Sequence, residues 1–130
     1  MAGNKETQKR TYDRLAARVP VQYKFISVEG RPIGEEFYHG ETRDISSSGL
    51  LLVGPIPEQI SLRQLLKEKI TIWMLIELPE EASSVQALAR VAWLESDKES
   101  AENCVLGLEF TQITSANVDK IYAMMLRKEV

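Results

Sequence analysis

Two short stretches of this 130-residue chain bring together residue types suited to recognition chemistry. "DISSSG" sets Asp44, Ser46 and Gly49 at the spacing D-x-S-x-x-G, directly ahead of a run of three leucines. "KRTYDR" sets Arg10 and Arg14 at the spacing R-x-x-x-R, with Lys9 beside them. A carboxylate accepts hydrogen bonds, a hydroxyl both donates and accepts, and glycine permits a tight turn or a close approach. A guanidinium grips an anion through a planar, permanently charged fork. The D-x-S-x-x-G cluster also has a purely local use, because Asp and Ser oxygens bond nearby backbone N–H groups where a chain reverses. Both uses stay open until the elements around the two stretches are placed.

Other chemistries find no footing. One cysteine, Cys104, excludes an internal disulfide framework, and one histidine, His39, excludes His-paired metal motifs. No Gly-rich phosphate loop and no nucleophile and base pair can be picked out, so the chain does not read as an enzyme. No metal or cofactor is expected. With 44% hydrophobic and 27% charged residues it reads as one ordinary soluble domain. The polar start "MAGNKETQKR" is no signal peptide and no apolar run is long enough to span a membrane, so a cytoplasmic location without membrane insertion is expected. The net charge of −3 is unevenly spread: residues 1–31 hold seven Lys/Arg against three Asp/Glu, and the remainder hold nine against sixteen. A basic arm over residues 1–16 thus precedes an acidic body over 17–130, which speaks against direct nucleic-acid binding as the main role but gives an anion a place to sit.

The elements that must position these groups are mostly strands. "VPVQYKF", "KITIWMLIEL" and "SVQALARVAWL" alternate apolar and polar positions, the last through Val85, Ala87, Ala89, Val91 and Trp93. With "EFYHGETRD", "GLLLVG" and "CVLGLEF" they make about six strands separated by polar turns, the pattern of an antiparallel barrel or sandwich. Two segments change to helical spacing. "TSANVDKIYAMMLRKEV" predicts a C-terminal helix, capped at Thr114 or Ser115, with Val118, Ile121, Tyr122 and Met125 on its apolar face. Ser61 and Gln64 have capping-box spacing ahead of Leu62, Leu65 and Leu66, which predicts a short inserted helix near 61–68.

The order of these features resembles the PilZ family of bacterial cyclic di-GMP receptors. The arginine motif precedes the first strand, "DISSSGLLL" enters a later one, "ARVAW" resembles the family's Gly-Arg-Val strand, and "VLGLEFTQIT" resembles its last strand before a helix. Arg14 lies six residues ahead of Pro20 in "PVQY", which favours the Arg10/Arg14 register over the overlapping Arg14/Arg18 pair. The "EQISLRQLLKEKI" insertion and Ala89 in place of glycine depart from the family pattern.

The resemblance implies a six-stranded antiparallel β-barrel with a C-terminal α-helix. It also implies cyclic di-GMP as ligand, bound through Arg10, Arg14, Asp44, Ser46 and Gly49, with Lys9, Arg18 and Arg43 as secondary candidates for phosphate contacts. Arginine forks suit guanine O6 and N7, and a carboxylate suits guanine's N1–H and N2–H₂ donors. The implied role is a receptor that changes conformation on binding and signals to a downstream protein partner in motility, polysaccharide or virulence control. Two other readings are an assembly adaptor for pili or flagella that binds no nucleotide, and a small barrel for single-stranded nucleic acid. Against the first stands the presence of the arginines; against the second, the acidic body. An arm this polar is expected to be mobile until ligand draws it across the barrel.

Overall fold

The structure is a computed structural model that describes residues 14–67, 69–79 and 84–129. Its strands are β1 (Arg14–Ala16), β2 (Pro20–Ile26), β3 (Pro32–Ser46), β4 (Gly49–Gly54), β5 (Thr71–Ile76), β6 (Val85–Ser96) and β7 (Cys104–Gln112). Two helices complete it, α1 (Leu62–Leu66) and α2 (Ser115–Glu129). All pairings are antiparallel in the order β1-β3-β2-β5-β6-β7-β4, and β4 pairs back onto β3. That last pairing closes six strands into a barrel and leaves β1 as an extra strand on β3. Closure uses up ladder positions that would otherwise be open edges.

The alternation read from the sequence is the alternation that fills the barrel. Val19, Val21, Tyr23 and Phe25 point inward, as do Ile70, Ile72, Met74, Ile76 and Leu78, and Val85, Ala87, Ala89 and Val91. Trp93 breaks the series and is 43% exposed. The β6–β7 register shifts between Val91 and Trp93, so Ala92 is an extra residue there and the bulge turns the tryptophan to the outer face.

Each helix covers the barrel with part of its predicted stripe. In α2, Ile121, Met124 and Met125 are buried, whereas Tyr122 lies at the helix flank and is exposed. Thr114 caps it: the Asn117 N–H donates to Thr114 Oγ1 at 3.2 Å. In α1 the capping box is formed, with the Gln64 N–H donating to Ser61 Oγ and the Ser61 N–H to Gln64 Oε1. Only Leu65 of its three leucines enters the core, while Leu62 and Leu66 stay exposed. No helix among the described residues is long and apolar enough to cross a membrane.

Candidate functional site

β1 and β2 lie end to end along the same side of β3. Four residues advance from Ala16 to Pro20 while β3 advances only three, from Asp44 to Glu41, so the line breaks between the two strands. Thr42 bridges the break. The Val19 N–H donates to Thr42 Oγ1 at 3.0 Å, the Thr42 hydroxyl donates to the Ala17 carbonyl, and the Thr42 N–H donates to the Val19 carbonyl at 2.9 Å. Thr42 is fully buried, and its hydroxyl satisfies the buried Val19 N–H and the part-buried Ala17 carbonyl at the break. Held in this way, β1 places Arg14 opposite Ser46 and Ala16 opposite Asp44.

Arg14 and Asp44, thirty residues apart in the chain, meet here: Arg14 Nη1 donates to Asp44 Oδ1 at 3.3 Å. The Arg14 side chain is 57% exposed and that of Asp44 23%, so this is a surface pair, worth at most about 1 kcal/mol. It holds the two groups side by side on the outer face. Three residues assigned to the arm by sequence, Arg14 to Ala16, therefore sit in a ladder beside the D-x-S-x-x-G motif. Arg10 and Lys9 lie outside the described residues.

A second bulge sets the direction of the neighbouring side chains. The β3–β4 register shifts between Thr42 and Asp44, so Arg43 has no partner of its own on β4 and both Arg43 and Asp44 face outward. Arg43 turns to the loop after β6 and donates to Asp97 Oδ1 at 2.9 Å; the Asp97 carboxylate is nearly buried and also accepts from the Glu99 N–H. Arg18 forms a loose, exposed pair with Glu41 at 3.5 Å, away from Asp44.

Ser46 and Gly49 build the turn that follows. Ser46 Oγ accepts from the N–H groups of Ser48 and Gly49 and lies 3.1 Å from the Gly49 carbonyl, and the residue is 2% exposed. The local use of this motif is thus realised in full at Ser46. Gly49 follows for lack of room: a Cβ there would lie 2.0 Å from the Leu108 carbonyl oxygen on β7. At the tip, the Tyr122 hydroxyl donates to Ser47 Oγ at 3.1 Å and ties α2 to the turn.

Registers around the barrel identify residues that sequence reasoning left out. Asp44 pairs with Leu51, Leu51 with Gly107, and Gly107 with Trp93, one outward-facing row across β3, β4, β7 and β6. The Trp93 indole lies over Gly107, where a Cβ would come within 2.3 Å of its Nε1. The ring therefore reaches one strand closer to Asp44 and offers its other face to solvent. Beside it runs a second row, Gly49, Glu109 and Arg90, in which Arg90 Nη2 donates to Glu109 Oε2 at 2.7 Å. The signal for Trp93 was the adjacency of an exposed aromatic to a glycine on the next strand, legible only once the Ala92 bulge is known. Among the described residues no group of three or more His, Cys, Asp or Glu is placed to hold a metal.

What stands at this site is an open outer face carrying a guanidinium, a carboxylate, a tight hydroxyl-built turn and an indole. It has acceptors and donors for a polar ring edge and a flat surface for its face, and among the described residues no nucleophile stands there with an adjacent base. Comparison with known proteins fits this picture. No curated protein matches the chain. Among solved structures, the inhibitor of motility MotI/DgrA of Bacillus subtilis aligns with a TM-score of 0.64 at 21% identity, covering 90% of this chain and 49% of that one. The chain thus spans about half the length of that protein. The PilZ domain of CeSA from a cellulose-synthesizing bacterium aligns with a TM-score of 0.54 at 15% identity, covering 90% of this chain and 98% of the other. The PilZ domain of YcgR from Escherichia coli, solved with c-di-GMP, aligns with a TM-score of 0.57 at 11% identity, covering 89% and 90%. At such identities the likeness establishes the fold, and the sequence itself matches the PilZ domain over residues 8–127. With nearly the whole chain inside that match, and the closed barrel, extra strand and C-terminal helix in place, it belongs to the PilZ domain family, a family of binding domains rather than enzymes.

Proposed function

We infer that this chain is a cyclic di-GMP receptor. The observation that carries the reading is the meeting of Arg14 and Asp44 at 3.3 Å on adjacent strands, on the same outer face as the Trp93 indole. Solved neighbours add support, since the YcgR domain and MrkH of K. pneumonia were both determined with c-di-GMP. In this reading Asp44 exchanges Arg14 for the N1–H and N2–H₂ edge of one guanine. The freed guanidinium then takes a phosphate or the O6/N7 edge of the second base. Arg10 is the second arginine of the clamp. Ser46 and Gly49 act through the turn they build, which fixes Asp44 and presents backbone groups. Lys9 and Arg18 add charge near the phosphates, and Arg43 holds the loop through Asp97. The receptor acts in the cytoplasm by passing occupancy to a protein partner that controls motility, surface polysaccharide or virulence.

Calorimetric titration of the purified chain with cyclic di-GMP tests this directly. Binding is expected, with Arg14→Ala and Asp44→Ala each weakening it by roughly 2–5 kcal/mol, the effect of removing one partner of a charged contact. Cyclic di-AMP should compete poorly, because adenine sets an N6–H₂ donor where the fork meets O6. A folded chain that gives no heat with either dinucleotide sinks the receptor reading and leaves the non-binding adaptor.

A further inference from the structure

A second surface runs across β2, β5, β6 and β7, and it does not depend on the nucleotide reading. Register aligns Lys24 of β2 with Trp73 of β5, Trp73 with Leu88 of β6, and Leu88 with Gln112 of β7. The neighbours of Lys24, Trp73 and Leu88 along their strands are buried, so these side chains face outward. Phe37 of β3 extends the row, its ring centroid 5.9 Å from that of Trp73. The Lys24 ammonium sits over both rings, 4.8 Å from the Trp73 centroid and 5.3 Å from that of Phe37, and among the described residues it makes no ion pair. At the far end the row opens into a cleft of about 610 Å³ between the end of β7 and the start of α2. Ala87, Leu88 and Ile113 give it an apolar lining, and the amides of Gln86, Gln112 and Asn117 stand around it, with no charged group in the lining among the described residues.

We propose that this trough, from Phe37 and Lys24 through Trp73 to the Gln112–Asn117 cleft, is a docking site for an extended acidic peptide segment of a partner protein. Charge selects the occupant. A cation held against two rings and lacking a carboxylate among the described residues calls for an acidic residue at that end. The cleft takes an apolar side chain one end away, while neutral amides suit the N–H and C=O groups of the intervening backbone. Length agrees: four strand spacings of ~4.8 Å make a trough that about six extended residues at ~3.3 Å each would span. A nucleic-acid strand fits less well, because the row offers one cation where a run of phosphates calls for several.

Selection of a phage-displayed library of random octapeptides on the full chain tests the proposal. Enriched sequences should pair an Asp or Glu with an aliphatic or aromatic residue a few positions away. The corresponding synthetic peptides should bind at least about tenfold more weakly to Lys24→Glu and to Gln112→Glu. Both substitutions are on the outer face, and an unchanged melting temperature and an unchanged cyclic di-GMP titration would show that fold and nucleotide site are intact. Three outcomes would overturn the proposal: no enrichment over an unrelated barrel, enriched peptides without an acidic residue, or equal binding by the Lys24→Glu variant. Binding of oligo(dT) that is lost with Lys24→Glu, in place of peptide binding, would overturn it as well. None of these results bears on the dinucleotide titration, so the two readings fail separately.

Discussion

At the scale of single residues, three side chains in and around the site should respond differently to substitution. Ser46→Ala leaves the buried N–H of Gly49 and the part-buried N–H of Ser48 without their acceptor, and is expected to reduce stability by about 1–3 kcal/mol in chemical denaturation. Arg43→Ala removes the cation from the nearly buried Asp97 carboxylate. It should therefore lower the melting temperature while leaving dinucleotide affinity close to wild type. Trp93→Leu still covers Gly107 but loses the flat face. Its expected signature is the reverse, unchanged stability with cyclic di-GMP bound about 1–3 kcal/mol more weakly by calorimetry. The D-x-S-x-x-G spacing was legible in the sequence, but the division of labour within it was not. Asp44 and Ser46 both read as polar ligand residues, and only the turn's hydrogen bonds show that Asp44 is left facing outward while Ser46 turns into its own loop.

The scale of elements explains how Arg14 reaches Asp44 at all. β1 is three residues long, too short to hold its place by ladder bonds alone, and the Thr42 hydroxyl joins it to the start of β2. Thr42→Val keeps the shape and removes the hydroxyl, stranding the Val19 N–H and the Ala17 carbonyl. We expect a loss of about 1–3 kcal/mol, faster hydrogen exchange at Val19, and weaker dinucleotide binding; Thr42→Ser should restore all three. Nothing in "ETRDIS" marks that threonine in advance, because its role depends on a one-residue mismatch between strands far apart in sequence. The same kind of distance hid the helix flank. Tyr122 has core spacing within α2, yet Met124 takes the buried position and the phenol is left to meet Ser47.

Across the whole molecule the barrel core is the part the sequence described best, since period-two alternation survives wherever no bulge intervenes. Tyr23 carries a cost inside that core. Its hydroxyl donates to the Pro55 carbonyl at 2.7 Å, and burial, reinforced by Tyr38, drives its pKa well above the usual tyrosine value. The phenol stays protonated in the fold but ionises near pH 10 in the unfolded chain, so the unfolded state is the stronger acid. Stability should be intact below about pH 10 and fall as pH climbs beyond it, with a shallower fall in Tyr23→Phe. That variant should also lose about 0.5–1.5 kcal/mol at neutral pH with the hydrogen bond to Pro55. Equal alkaline slopes for the two proteins would place the loss elsewhere.

The chain has two tryptophans, and the fold sends them to separate rows: Trp93 to the row that begins at Asp44 and Trp73 to the row that includes Lys24. The protein thus carries a built-in pair of optical reporters. In Trp73→Phe the emission comes from Trp93 alone and should be quenched when a guanine covers the indole. In Trp93→Leu it comes from Trp73 alone and should be blind to the dinucleotide while changing with a peptide that crosses the trough. A cross-response, in which the trough's tryptophan shifts colour as the nucleotide binds, would mean that the barrel between them transmits one event to the other.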